Sequence, residues 1–301
     1  MNSQALPSRT QHRIFSISRV WAISTNTFLE LVRLKVFYFL LIFALIIIGS
    51  TGFSEILDLK FQDQFQILQD VSLGAMSIFS ILLGTLATAN MLPKDIEDRT
   101  LYTILAKPVP RFEYLLGKLL GMFLLLFIAI VLMSGMFVIA LYAKHSTITE
   151  ATRMTYAEHP TQLQGALRDL DAHAFPSGLV PCVVAIYIKA ILLSTMTLMI
   201  STFSTSYIFT LFISFTCYFI GSVEGMARDF ALNGTSGQGL KFFIGAVALL
   251  FPDLRLFDLV DDIVAGNHIA SAVFMKTAGL GLSYVLVYAL VAYIVFSFKE
   301  L

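Results

Sequence analysis

Charge is scarce in this chain. Asp, Glu, Lys and Arg make up 13% of its 301 residues, about half the share usual in soluble domains. Hydrophobic residues reach 57% and the mean hydropathy is +0.81. A single water-surrounded core stops growing near this chain length, so the excess apolar surface implies a bilayer as solvent. Cysteine is equally sparse. Cys182 and Cys217 both lie in apolar stretches, which excludes a disulfide framework or a thiolate metal site and leaves two small hydrophobes. No G-x-x-x-x-G-K-[ST] phosphate loop occurs, and Gly117-Lys118 lacks the upstream glycine, so ATP hydrolysis within this chain is not expected. A cleavable leader is not expected either, because the first apolar run begins only near Val36 and lacks a small-residue cleavage pattern. Net charge is zero, so the total gives no pointer to nucleic acid.

What remains is long uncharged segments. Val36–Ser54, Val71–Pro93 and Leu119–Ala143 each have the length of a span, and Leu179–Val223 holds two, turning at 201–206. Thr277–Phe298 is the last, between Lys276 and Lys299. The predicted fold is all-α: one transmembrane domain over 1–301, with six spans. Residues 1–35 form a cytoplasmic tail and an amphipathic interfacial helix, with Arg13, Arg19 and Arg33 interleaved among Ile14, Trp21, Phe28 and Leu31. Residues 55–70 are an acidic connection, 144–178 a polar external loop, and 224–276 an external segment. Within the last, Phe242–Pro252 is apolar but too short to cross, which predicts a re-entrant or interfacial piece.

Six spans put both termini on one side, together with the 94–113 loop. That side holds Arg9, Arg13, Arg19, Arg33, Lys35, Lys94, Arg99, Lys107, Arg111, Lys118 and Lys299. The excess of basic residues makes it cytoplasmic. In the 94–113 loop, Pro93 is expected to end the second span, and Asp95, Glu97 and Asp98 to occupy the first turn of a short helix. Pro108 and Pro110 stop that helix after Lys107. Its apolar residues Leu101, Tyr102, Ile104 and Leu105 cannot all face the parent chain, which leaves some for a partner. Without a partner, the loop is a basic cytoplasmic connection.

The run Glu97-Asp98-Arg99-Thr100-Leu101-Tyr102-Thr103-Ile104-Leu105-Ala106-Lys107-Pro108-Val109, followed by Arg111-Phe112-Glu113-Tyr114-Leu115-Leu116-Gly117-Lys118, resembles the coupling-helix region of ABC-2-type transporter permeases. Asn26–Arg33 is similar to that family's amphipathic entry helix. The nearest group is the permeases of multicopper-enzyme and nitrous-oxide reductase maturation. The resemblance implies an exporter of four subunits in a bacterial inner membrane: two permease subunits, as a homodimer or with a paralogue, and two ATPase subunits that carry ATP and Mg. By the same resemblance Glu97, Arg99, Thr100, Leu101, Tyr102, Leu105 and Lys107 meet the ATPase. It identifies no cargo. An ion-coupled secondary transporter and a non-transporting scaffold or sensor are the alternatives.

Other candidates are weaker. Lys118, at the start of the third span, is placed to snorkel to the interface. Lys189 lies about two turns inside the fourth span, where it either lines a translocation path or carries its amine to the outer interface along its stem. His145, His159 and His173 share the 144–178 segment with Asp169 and Asp171, but their spacing fits no compact ligand motif, so no metal site is expected.

Overall fold

The computed structural model describes residues 16–33, 36–56, 60–97, 110–157, 160–176, 178–204, 206–233, 239, 245, 251–260 and 271–298. These are helical almost throughout, with no strand among them. The helices are α1 (Ile17–Val32), α2 (Val36–Ile56), α3 (Phe61–Glu97), α4 (Arg111–Thr155), α5 (Pro160–Ala174), α6 (Leu179–Phe203), α7 (Tyr207–Asn233) and α8 (Ser271–Phe298), with a 3-10 turn at Leu254–Phe257 before α8. Five helices, α3, α4, α6, α7 and α8, are long and apolar enough to cross a membrane. The apolar stretch of α2, Tyr38–Ser54, is shorter.

Helix α6 is the hub. From Ile188 to Thr202 it is buried on nearly all sides rather than along one stripe. Such a helix must satisfy its polar atoms internally. The hydroxyls of Ser194, Thr195 and Thr197 do so by donating to carbonyls one turn back, at 2.8, 2.7 and 2.9 Å. At Gly84 of α3 an added Cβ would lie 2.1 Å from Ser194 Oγ, so the absent side chain sets how closely α3 and α6 approach. The outward faces carry Leu45 and Ile48 of α2, Val131 and Ile139 of α4, Ile208 and Phe212 of α7, and Leu286 and Leu290 of α8, all exposed. An apolar belt of this extent is what lipid-facing helices present.

Two apolar clusters define two ends. One runs the length of the bundle, from Leu31, Leu92, Tyr114, Leu119 and Phe296 to Ile188, Leu254 and Phe257; we call the end with Leu31, Leu92, Tyr114 and Phe296 the loop end, because the chain leaves α3 and enters α4 there. The other joins Phe43, Phe65, Leu68, Phe137, Leu170 and Cys182 and marks the far end.

The helices depart from the sequence expectations in several places, among them α7, which runs past Val223 to Asn233 into the expected external segment 224–276. The second span and much of the acidic connection at 55–70 form a single helix: α3 starts at Phe61, because Phe65 and Leu68, spaced by three, turn inward and are fully buried. Pro93 does not end that helix, which runs on to Glu97. Asp95 therefore belongs to its last turn and not to the first turn of a following helix. A proline costs a helix its local hydrogen bond, and here the bonds made by Asp95 hold the turn beyond it. The expected polar loop 144–178 is mostly helix: α4 continues to Thr155 and α5 follows. Leu170 and Ala174 bury that second helix against the bundle, and Gln69 of α3 donates to the carbonyls of His173 and Ala174 at 2.8 and 3.2 Å. The proposed re-entrant segment Phe242–Pro252 lies, apart from Gly245 and Phe251–Pro252, outside the described residues.

Candidate functional site

At the loop end, two helix termini and α1 are tied by charge. Lys94, in the last turn of α3, meets Glu30 of α1 at 2.7 Å. Lys118 of α4 reaches Asp95 at 2.7 Å and Glu30 at 3.7 Å. Tyr114 donates its hydroxyl to Asp95, and the Tyr114 ring stacks on Phe296 of α8 at 5.8 Å. Lys118 does not snorkel to the interface; its side chain is only 6% exposed and held between two carboxylates. That pairing is the physical alternative to reaching water. Burial would raise the pKa of the Glu30 carboxyl. The hydrogen bond from Lys94 and the charges of Lys118 and Lys94 outweigh it, and the net shift is downward.

A second set of contacts pins α1 to the start of α4. Arg19 Nη2 donates to Glu113 Oε1 at 2.9 Å. Arg19 Nε lies 2.7 Å from Oε2, an ion contact whose angle falls short of a hydrogen bond. The backbone N–H of Ser16 also donates to Glu113, at 2.8 Å. The two helices approach closely because α4 carries Gly117 and Gly121 where they cross. A Cβ on Gly121 would lie 2.7 Å from the Ser24 carbonyl oxygen, the small-residue contact of membrane helix pairs. Arg111, at the first position of α4, donates to the carbonyls of Phe296 and Ser297 at 3.0 and 2.6 Å. Those are orphan carbonyls at the C-terminus of α8, where a cation is favoured.

Of the residues singled out for partner contact, Glu97 is the exposed last residue of α3. Arg99, Thr100, Leu101, Tyr102, Leu105 and Lys107 lie outside the described residues. The described structure thus shows the two anchors of that segment, Glu97 and Pro110, and the frame that fixes them.

The far end carries a second concentration of charge around a cavity of about 630 Å³. Lys189 opens onto it. Its side chain is 3% exposed and its amine lies 2.9 Å from Asp258, so the stem does run toward the helix end but stops at a carboxylate. Arg228 of α7 holds Asp253 at 3.1 Å and approaches Glu224, one turn earlier, at 3.8 Å. Asp253 also accepts the Arg255 backbone N–H at 3.0 Å, which caps the 3-10 turn. This turn is wedged among three helices by glycines. A Cβ on Gly221 would meet the Pro252 carbonyl oxygen at 2.9 Å, and one on Gly281 of α8 would meet Ile188 of α6 at 2.6 Å.

Sequence reasoning missed this cluster because it placed Glu224, Arg228, Asp253 and Asp258 in one external segment. The signal that could have found it is the i,i+4 spacing of Glu224 and Arg228, which continues the helix past Val223. Of the histidines, His145 pairs with Asp171 at 2.8 Å and His173 Nδ1 contacts its own helix at the Asp169 carbonyl, 2.7 Å away. His159 lies outside the described residues. Among the described residues no three His, Cys, Asp or Glu side chains converge as a metal site would require.

Comparison with known protein families and with characterised proteins gives no match to either.

Proposed function

We propose that the chain is the membrane-embedded permease subunit of an ATP-driven exporter of the ABC-2 type, with six spans in a bacterial inner membrane and both termini in the cytoplasm. The sixth span in this reading is α2, whose 21 residues give about 30 Å of helix at 1.5 Å per residue. The loop end then faces the cytoplasm, and residues 94–113 meet a separate ATPase subunit. A second permease subunit completes the assembly.

The observation that carries this reading is the frame around the loop anchors. A motor pushing on a slack loop moves nothing else. Here Glu30, Lys94, Asp95, Tyr114 and Lys118 join α1, α3 and α4, and Arg111 joins α4 to α8. Displacement of the 98–109 segment would therefore reach four helices at once, the physical requirement for coupling two sites. ATP and Mg belong to the partner, since no phosphate loop is present in this sequence.

The test is purification of the full chain from its native membrane, with and without Glu97→Ala and Leu101→Ala together. The expected result is a stoichiometric ATPase on the wild-type chain and about tenfold weaker retention on the double variant, equivalent to ~1.4 kcal/mol. Equal retention by both sinks the coupling assignment. Glu224 favours a second reading, an ion-coupled transporter, because α7 carries it as a buried carboxylate. Transport abolished by a protonophore but untouched by ATP depletion would select that reading.

A further inference from the structure

Among the described residues, the lining of the far-end cavity is unbalanced in charge. Four carboxylates (Asp70, Asp229, Asp253 and Asp258) line it against three cations (Lys189, Arg228 and Arg255). Two of the cations are already committed. Lys189 is bound to Asp258 at 2.9 Å, and Arg228 stands between Asp253 and Glu224. Glu224 stands behind Arg228, outside the lining. Its side chain is 1% exposed, and neither carboxylate oxygen accepts a hydrogen bond from any described residue. Buried carboxylates normally find donors, so a single arginine at 3.8 Å leaves this one under-compensated. The side chains of Asp70 and Asp229, facing the cavity from α3 and α7, have no ion pair or hydrogen bond among the described residues. Of the three lining cations, Arg255 is left to face them.

Apart from Ser77, the remainder of the wall is mainly apolar. Ile78 of α3, Leu256 of the 3-10 turn and the ring of Tyr218 border the same space. A cavity of about 630 Å³ falls in the size range of sites for drug-sized molecules. An inorganic cation needs converging oxygen ligands and gains nothing from an apolar wall. A free anion meets an excess of carboxylates. A body that is apolar and carries a positive charge fits both halves of the lining, and an aromatic face adds cation–π attraction.

We propose that this cavity is a binding site for organic cations, with Asp229 and Asp70 supplying the uncompensated negative charge and Ile78, Leu256 and Tyr218 the apolar wall. Binding belongs to the chain by itself. It does not depend on an ATPase partner, so its failure and that of the transport reading are separable.

The test uses the full chain in phosphatidylcholine nanodiscs without nucleotide, and radiolabelled tetraphenylphosphonium as the probe. Empty discs supply the background from lipid partitioning. Tetraphenylborate, nearly the same shape with opposite charge, is the competitor. Saturable binding above empty discs is expected, with no competition by tetraphenylborate. Asp229→Asn and Asp70→Asn together should weaken it about three- to tenfold, the span of a partly screened charge pair. Both carboxylates are exposed, so these variants keep the fold. Three results each overturn the proposal: no saturable binding, equal competition by the anion, or unchanged affinity in the Asp70/Asp229 variant.

Discussion

Glu30 is the residue on which the loop end depends for charge balance, because Lys94 and Lys118 both turn to it. Its carboxyl is held below the ordinary value of 4.5. A carboxylate with a depressed native pKa adds stability above its unfolded value and loses it as pH falls through the native one. The wild-type chain should therefore lose about 1 kcal/mol through this group below pH ~4.5, the amount typical of a half-exposed ion pair. Glu30→Gln should remove that share of the acid dependence and lower the neutral-pH unfolding midpoint instead. Thermal unfolding in detergent between pH 3.5 and 7 measures both. Identical pH profiles for the two proteins would sink the assignment. The Glu30 site was not visible in sequence: the residue lies in an amphipathic segment whose charges all look solvated, and its two lysines are more than sixty positions away.

At the scale of elements, α1 and α4 are matched by glycine rather than by side-chain interlock. Gly121 faces the Ser24 carbonyl oxygen and Thr27 at 2.7 Å, whereas Gly135 of the same helix has nothing within 4 Å of an added Cβ. Gly121→Ala should cost about 1–3 kcal/mol, because backbone must move to admit the methyl group. Gly135→Ala should be neutral or stabilising by up to ~1 kcal/mol, the helix-propensity gain. Unfolding midpoints of the two variants check this; equal effects would mean α1 does not pack there. The sequence predicted the α1 helix from its alternating arginine and apolar residues. It could not tell whether the apolar face meets lipid or protein, since both solvents reward the same pattern.

For the whole molecule, the direction of each helix is set by what its ends touch. The start of α4 meets the end of α8 through Arg111, and the start of α3 meets α5 through Gln69. These contacts place Glu97, Pro110 and the end of α8 at one end, and α5 with the charged cavity at the other. In a background without Cys182 and Cys217, Glu150→Cys and Phe298→Cys should label oppositely in intact cells. A membrane-impermeant maleimide should reach position 150 within minutes and position 298 only after permeabilisation. Labelling of both in intact cells would contradict the six-span orientation.

Composition and run length alone determined that this is a helical chain with several segments fit for a membrane, because charge-free runs of about 20 residues match the length of an internally bonded helix across hydrocarbon and not that of a barrel strand. The turn expected at 201–206 falls at the break between α6 and α7, and the last span, expected over Thr277–Phe298, lies within α8 and ends with it. Only the tertiary structure decided where the helices end and which charges meet. Helix ends such as those at Glu97 and Thr155 follow from contacts made after folding. Lys118 with Asp95, Lys189 with Asp258 and Arg228 with Asp253 are pairs between residues 23 to 69 positions apart. A charge in a sequence declares that it needs a partner; only the packed bundle chooses which one it gets.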